Sequence, residues 1–76
     1  MRLPKHYVEQ VDYWTIDTNI PSRSYYSVPR TTITLYFKQW WKPSKKIKFW
    51  WLPAGAYFTE PEHCVELVQQ LTAAIK

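Results

Sequence analysis

The sequence has little cysteine and glycine, and it has no long hydrophobic run. Its 76 residues contain one glycine and one cysteine, Cys64. One cysteine cannot form a disulfide within the chain, and one sulfur cannot build a thiolate metal cluster. No stretch approaches about 18 uncharged apolar residues, which argues against a signal peptide or a membrane span. We therefore expect a single domain over residues 1–76 with no membrane partner, in the cytoplasm, or in the nucleus of a eukaryote.

Acidic residues are absent from the middle of the chain. Residues 18–59 contain seven lysines and arginines and no aspartate or glutamate, whereas both flanking segments are slightly negative. A region of one charge sign is typical of a protein that binds a polyanion, although surface lysines also serve solubility. Solubility alone does not explain why every acid is missing from this span.

Groups that could perform catalysis are also few. His6 and His63 are the only histidines, and His63 lies among acids in the first turn of a predicted helix, where a solvated surface position is expected. His63 and Cys64 cannot form a nucleophile pair, because adjacent helical residues point about 100° apart. The sequence has no glycine-rich phosphate loop. We expect neither an enzyme nor a bound cofactor or metal.

Strands are predicted where β-branched and aromatic residues alternate with polar ones. They cover residues 6–17, 25–28, 31–41 and 46–52, approximately. The first has imperfect alternation, since Gln10 and Asp12 would share a face with Trp14. We therefore expect this strand to be bulged or to lie at an edge.

The two later strands have one apolar face each. In the first, Ile33 and Leu35 alternate with threonines, and in the second, Ile47 and Phe49 alternate with lysines. A loop with an odd number of residues brings the two apolar faces together, because a slip of one residue turns every side chain over. The sequence thus predicts an antiparallel pair joined by an odd loop.

A C-terminal helix is predicted over residues 60–75, approximately. Thr59 is expected as N-cap, with Glu62 completing a capping box and Pro61 in the first turn. Apolar residues then recur at helical spacing: Cys64, Leu67, Val68, Leu71, Ala74 and Ile75. This stripe needs an apolar partner, which predicts a two-layer α+β domain whose antiparallel sheet of three to four strands is covered on one face by the helix.

The side of the sheet away from the helix is then both aromatic and basic. Its predicted residues are Tyr36, Lys38, Trp40, Lys46, Lys48 and Trp50. Clustered exposed tryptophans are usually covered by another subunit or stacked on a planar ligand such as a nucleobase. For Trp41 and Trp51 a role in a second core and a role in binding are equally plausible from the sequence.

Two stretches resemble the positive cofactor four family of single-strand-binding transcriptional coactivators. They are LYFKQWW at residues 35–41 and PAGAYFTEPEHCVELVQQL at residues 53–71, within a similarity that spans about residues 30–71. The resemblance implies a curved antiparallel sheet followed by one helix, a homodimer, and contact of Lys38, Trp41 and the upstream Arg30 with single strands. The family's basic residues in the proline-glycine turn are absent, so phosphate contacts would come from the lysines at 45, 46 and 48.

The sequence therefore favours a non-enzymatic protein that binds single-stranded DNA or RNA as a homodimer. The expected contact residues are Arg30, Tyr36, Lys38, Trp40, Trp41, Lys45, Lys46, Lys48 and Trp50. The alternative is a small inhibitor or adaptor, such as a phage-encoded anti-defence protein, that presents the same patch to an acidic protein surface. Because tryptophan, tyrosine and arginine are also the hot-spot residues of protein interfaces, composition does not separate the two.

Overall fold

The computed structural model describes residues 1–20 and 28–75, which form two small antiparallel sheets and a C-terminal helix. The elements are α1 (Lys5–Val8), β1 (Val11–Asn19), β2 (Arg30–Phe37), β3 (Lys45–Trp50), β4 (Leu52–Ala54), β5 (Tyr57–Thr59) and α2 (Glu62–Ala74). The predicted α+β class is confirmed. Residues 25–27 of the strand expected at 25–28 lie outside the described residues.

The main sheet has the strand order β1-β2-β3 with both pairs antiparallel. Ile33 pairs directly with Ile47, so the apolar faces of β2 and β3 coincide. The connection between these strands, residues 38–44, has an odd length, as the burial pattern required. β1 is an edge strand with a register shift between Val11 and Tyr13, so both features expected from its broken alternation are present.

Two predicted strand bounds were wrong for identifiable reasons. β2 ends at Phe37 instead of residue 41, because its last partner in β3 is Lys45, opposite Leu35, and its last partner in β1 is Val11, opposite Phe37. β1 begins at Val11 instead of residue 6, because the carbonyl of Pro4 accepts the amides of Tyr7 and Val8 and starts the helical turn α1. The segment before β1 is therefore helical instead of extended.

The hairpin of β4 and β5 is an element that the sequence analysis missed. Ala54 pairs with Tyr57, which leaves Gly55 and Ala56 as a two-residue turn. Gly55 has φ of 66°, a conformation in which a side chain is strained. The only glycine of the chain thus lies at the first central position of the turn, where such hairpins require a positive φ.

The helix α2 follows the predicted stripe but not the predicted cap. Pro61 occupies the N-cap position without a side-chain hydrogen bond, so the capping box of Thr59 and Glu62 does not form. Thr59 is instead the last residue of β5, and the carbonyl of Pro61 accepts the amide of Cys64 at 3.1 Å. The helix begins at Glu62 because the hairpin holds the preceding residues extended.

The core lies between α2 and one face of the main sheet. Its buried apolar residues are Val11, Ile33, Leu35, Phe49, Cys64, Leu67 and Leu71. Burial raises the pKa of the Cys64 thiol, with a smaller contribution from the charge of Glu60, so this cysteine remains a neutral thiol inside the core. Within residues 1–20 and 28–75, no helix is long and apolar enough to cross a membrane.

Two polar links attach the outer segments to this core. The side-chain amide of Gln70 on α2 accepts the backbone N–H of Leu3 at 2.8 Å and donates to its carbonyl at 2.7 Å. Thr31 lies at the centre of the second link, where its hydroxyl accepts the indole N–H of Trp51 at 2.9 Å and donates to the carboxylate of Glu60 at 3.2 Å. Thr31 is fully buried, so its hydroxyl needs these partners. Trp51 therefore has a structural role.

The two faces of β3 are expected to respond differently to truncation. Phe49→Ala removes a ring packed in the core and should lower the free energy of unfolding by about 3–5 kcal/mol. Trp50→Ala, one residue further along the strand and exposed, should change it by less than about 0.5 kcal/mol. Urea denaturation followed by circular dichroism measures both. A destabilising Trp50→Ala combined with a tolerated Phe49→Ala would mean that the strand faces are inverted.

Candidate nucleic-acid interface

The register of the main sheet determines which side chains share the face opposite α2. Directly paired residues lie on the same face of an antiparallel sheet, so the side chains on this face can be read from the pairing. We call this surface the open face; it consists of Tyr13, Thr15, Asp17 and Asn19 of β1, Arg30, Thr32, Thr34 and Tyr36 of β2, and Lys46, Lys48 and Trp50 of β3.

Two contacts that involve aromatic rings lie at opposite ends of the open face. Tyr13 and Tyr36 are stacked with ring centroids 4.5 Å apart and planes 10° apart. At the other end, the Arg30 guanidinium lies 5.6 Å from the ring centroid of Trp50, a cation–π contact. Tyr36 is six positions after Arg30 in β2, and this spacing corresponds to about 20 Å along an extended strand. Trp50 is 55% exposed and Tyr13 is 51% exposed, so both rings have an accessible surface.

The two lysines of the open face lie along one edge of the sheet. Lys46 and Lys48 are exposed on the edge strand β3, and two residues of strand separate them by about 7 Å. The single acid of the open face, Asp17, pairs with Thr32 and lies on the opposite edge strand, about 10 Å from Lys48 across the sheet. The surface is therefore most positive along β3, and its centre consists of threonines, of which Thr34 is buried.

The structure brings together five of the nine residues expected at the site. Arg30, Tyr36, Lys46, Lys48 and Trp50 lie on the open face. The remaining four do not. Lys45 pairs with Leu35 and belongs to the helix-covered face, while Lys38 borders a cavity of about 810 Å³ beside the C-terminal end of α2.

Trp40 was predicted on the open face and Trp41 was left open between a core and a binding position; both lie in the turn after β2. The prediction for Trp40 was wrong because it extended the strand alternation past Phe37, the last residue of β2 that has a strand partner. Trp41 is exposed in the same turn, so the choice between a core and a surface position is settled in favour of the surface.

Sequence reasoning missed Tyr13, the outer ring of the stacked pair. The bulge at the start of β1 explains this, because it shifts the alternation by one residue after Val11. A signal was available: from Tyr13 onward, Thr15, Asp17 and Asn19 form a polar series that alternates with Trp14 and Ile16. Reading the strand from residue 13 alone would have placed Tyr13 on the polar face.

Comparison of the chain with protein-family models, with curated proteins and with solved structures finds no match.

Proposed function

We propose that this chain binds single-stranded nucleic acid through the open face and does no chemistry on it. The observation that carries the proposal is the alternation of Lys46, Lys48 and Trp50 on the solvent side of β3, next to Arg30. Cations that follow a sugar–phosphate backbone beside aromatic rings that stack on bases are the combination that single-strand binders use.

Single strands fit this surface better than duplexes. In a duplex the base faces are already stacked on each other, so the rings of Tyr13 and Trp50 would meet phosphates. A single strand offers both unpaired base faces and a flexible backbone. In the proposed complex the phosphates follow β3 and the bases lie across the central threonines toward β1, away from Asp17.

Removal of one aromatic ring should weaken binding without unfolding the protein. Trp50→Ala should reduce the affinity for an oligothymidylate of about eight nucleotides by about 1–3 kcal/mol, the contribution of one stacked base. Trp40→Ala is the matched control, because Trp40 is even more exposed but lies off the open face. Anisotropy of a labelled oligonucleotide measures both affinities, and oligouridylate in parallel compares RNA with DNA.

Failure of this test has a definite meaning. If wild-type protein neither binds the oligonucleotide at micromolar concentration in low salt nor shows quenching of its tryptophan fluorescence, the open face does not bind single strands. An acidic protein surface then becomes the preferred partner, as for an inhibitor or adaptor. Equal loss of affinity in Trp40→Ala and Trp50→Ala would instead mean that the bound strand extends beyond the open face to the turn after β2.

The salt dependence of binding should report individual phosphate contacts. The logarithm of affinity for a single strand falls with the logarithm of salt concentration by about 0.7 for each phosphate neutralised. Lys48→Ala should therefore reduce the slope by about 0.7. Lys45→Ala, on the opposite face of the same strand, should leave it unchanged. Equal slopes for Lys48→Ala and wild type would exclude a phosphate contact at Lys48.

We also propose that two copies associate through the outer edge of β1, which has no strand partner among residues 1–20 and 28–75. The edge of β3 carries lysines on both faces, which oppose strand pairing, whereas the edge of β1 has no charge from Tyr13 to Ile16. Ile16 is on the helix side of the sheet but remains 48% exposed, so a partner strand would cover it. A twofold axis perpendicular to the sheet keeps both open faces on the same side and joins them into one longer surface.

Dimer formation can be tested at this edge. Ile16→Lys should convert the dimer to a monomer near 9.2 kDa in light scattering, because the two introduced cations would lie close together across the axis. Val65→Lys is the control, since Val65 has a similar exposure on α2, away from the edge. If the wild-type protein is monomeric at tens of micromolar, the proposed dimer is wrong. The proposal for the open face is unaffected, because each monomer has this face.

A further inference from the structure

The turn between β2 and β3 carries two exposed indole rings that the open face does not use. We call residues 38–44 the tip. Trp40 is 94% exposed, more than any other large apolar side chain in the described part of the chain, and Trp41 is 67% exposed. Two adjacent tryptophans in water are unfavourable, and such exposure usually marks a contact surface.

The tip is held in place by a lysine directed toward the protein. The ammonium group of Lys42 donates to the side-chain oxygen of Gln10 at 2.7 Å and lies 4.3 Å from the ring centroid of Phe37 and 5.3 Å from that of Tyr7. The Lys38 amide donates to the carbonyl of Gln10 at 2.9 Å. These contacts order the turn without a partner. A partner would therefore bind indole rings whose positions are already fixed.

Cations surround the tip at this end of the molecule. Lys45 and Lys46 follow it directly on β3 and are exposed. Lys38 is the first residue of the tip and borders the same cavity as Arg2 and Lys5 of the N-terminal segment. The acids at this end are Glu9 and Asp12, which border that cavity. The surface around the two indoles is thus net positive.

We propose that the tip docks on an anionic lipid bilayer, with Trp40 and Trp41 in the headgroup layer and the surrounding lysines on lipid phosphates. Tryptophan favours this layer because its ring is apolar and its N–H is polar. Cations next to an interfacial apolar group add electrostatic attraction to anionic lipids. This contact is peripheral, so it needs no apolar span of the kind whose absence led us to expect no membrane partner.

The shape of the tip favours a bilayer over a nucleic-acid strand. A strand is bound along a cationic groove with successive stacking platforms. The tip is a turn that projects adjacent rings, and the ammonium of its own Lys42 is directed toward Phe37 and Gln10 instead of outward. A flat, deformable, negatively charged surface complements this arrangement.

Vesicle binding tests the proposal directly. Full-length protein should co-sediment with vesicles that contain phosphatidylglycerol and phosphatidylcholine, with a blue shift of tryptophan emission, and much less with phosphatidylcholine alone. Trp40→Ala should lower this affinity at least tenfold, on the order of the loss expected for one large apolar anchor. Lys45→Ala should lower it about fivefold, the value of one cation near an anionic membrane.

Trp50→Ala is the matched control, because it removes an exposed tryptophan from the open face instead of the tip. It should bind vesicles as wild type does, while Trp40→Ala should bind oligonucleotide as wild type does. Equal vesicle affinity of Trp40→Ala and wild type, no sedimentation of wild type, or loss of oligonucleotide instead of vesicle binding in Trp40→Ala would each overturn the proposal. The first two outcomes do not bear on the open face, whose test is the binding of oligonucleotide by wild type and Trp50→Ala.

Discussion

The pairing of Ile33 with Ile47 determines which side chains of the central hairpin are buried and which meet solvent. Shifting β3 by one residue relative to β2 would point Lys46 and Lys48 at α2 and expose Phe49. Burying two unpaired ammonium groups costs far more than a domain of this size can tolerate. The buried stripe of α2 therefore selects a single register, and this register also creates the basic aromatic surface on the other side of the sheet.

The two proposed binding surfaces follow from different parts of the same hairpin. The open face depends on regular pairing, which aligns Lys48 with Thr32 and Trp50 with Arg30. The tip depends on the end of β2–β3 pairing at Leu35 and Lys45 and on the Lys42 contacts that hold the turn. A substitution in the turn can therefore change the tip while the open face keeps its register. The chain has room for two independent contacts despite its small size.

The sequence predicted those parts of the fold that depend on periodicity. The alternation around Ile33 and Ile47, the odd loop and the apolar stripe through Leu67 all follow from one-dimensional patterns that the core enforces. The alternation correctly assigned Tyr36, Lys46, Lys48 and Trp50 to a common face, whereas Arg30 was expected at the site only from the family resemblance.

The features that were missed depend on contacts between distant parts of the chain. The end of β2 depends on where its partner strands end, at Val11 of β1 and Lys45 of β3. The cap of α2 depends on Thr59 being used by the hairpin of β4 and β5. The bulge in β1 moved Tyr13 onto the face of Tyr36, and a bulge is not encoded by alternation. Local patterns do not contain this information.

The hydrogen bond from the Trp51 indole to Thr31 has a consequence for how the protein opens. The same hydroxyl bonds Glu60, which immediately precedes Pro61 and α2, so one buried oxygen links the sheet to the entrance of the helix. Deuterium can replace the Trp51 indole proton only when this link separates, whereas the amides of β2 exchange only when the sheet itself comes apart. Comparison of the two exchange rates would distinguish local separation of Trp51 from Thr31 from global unfolding, with no added label and no mutation.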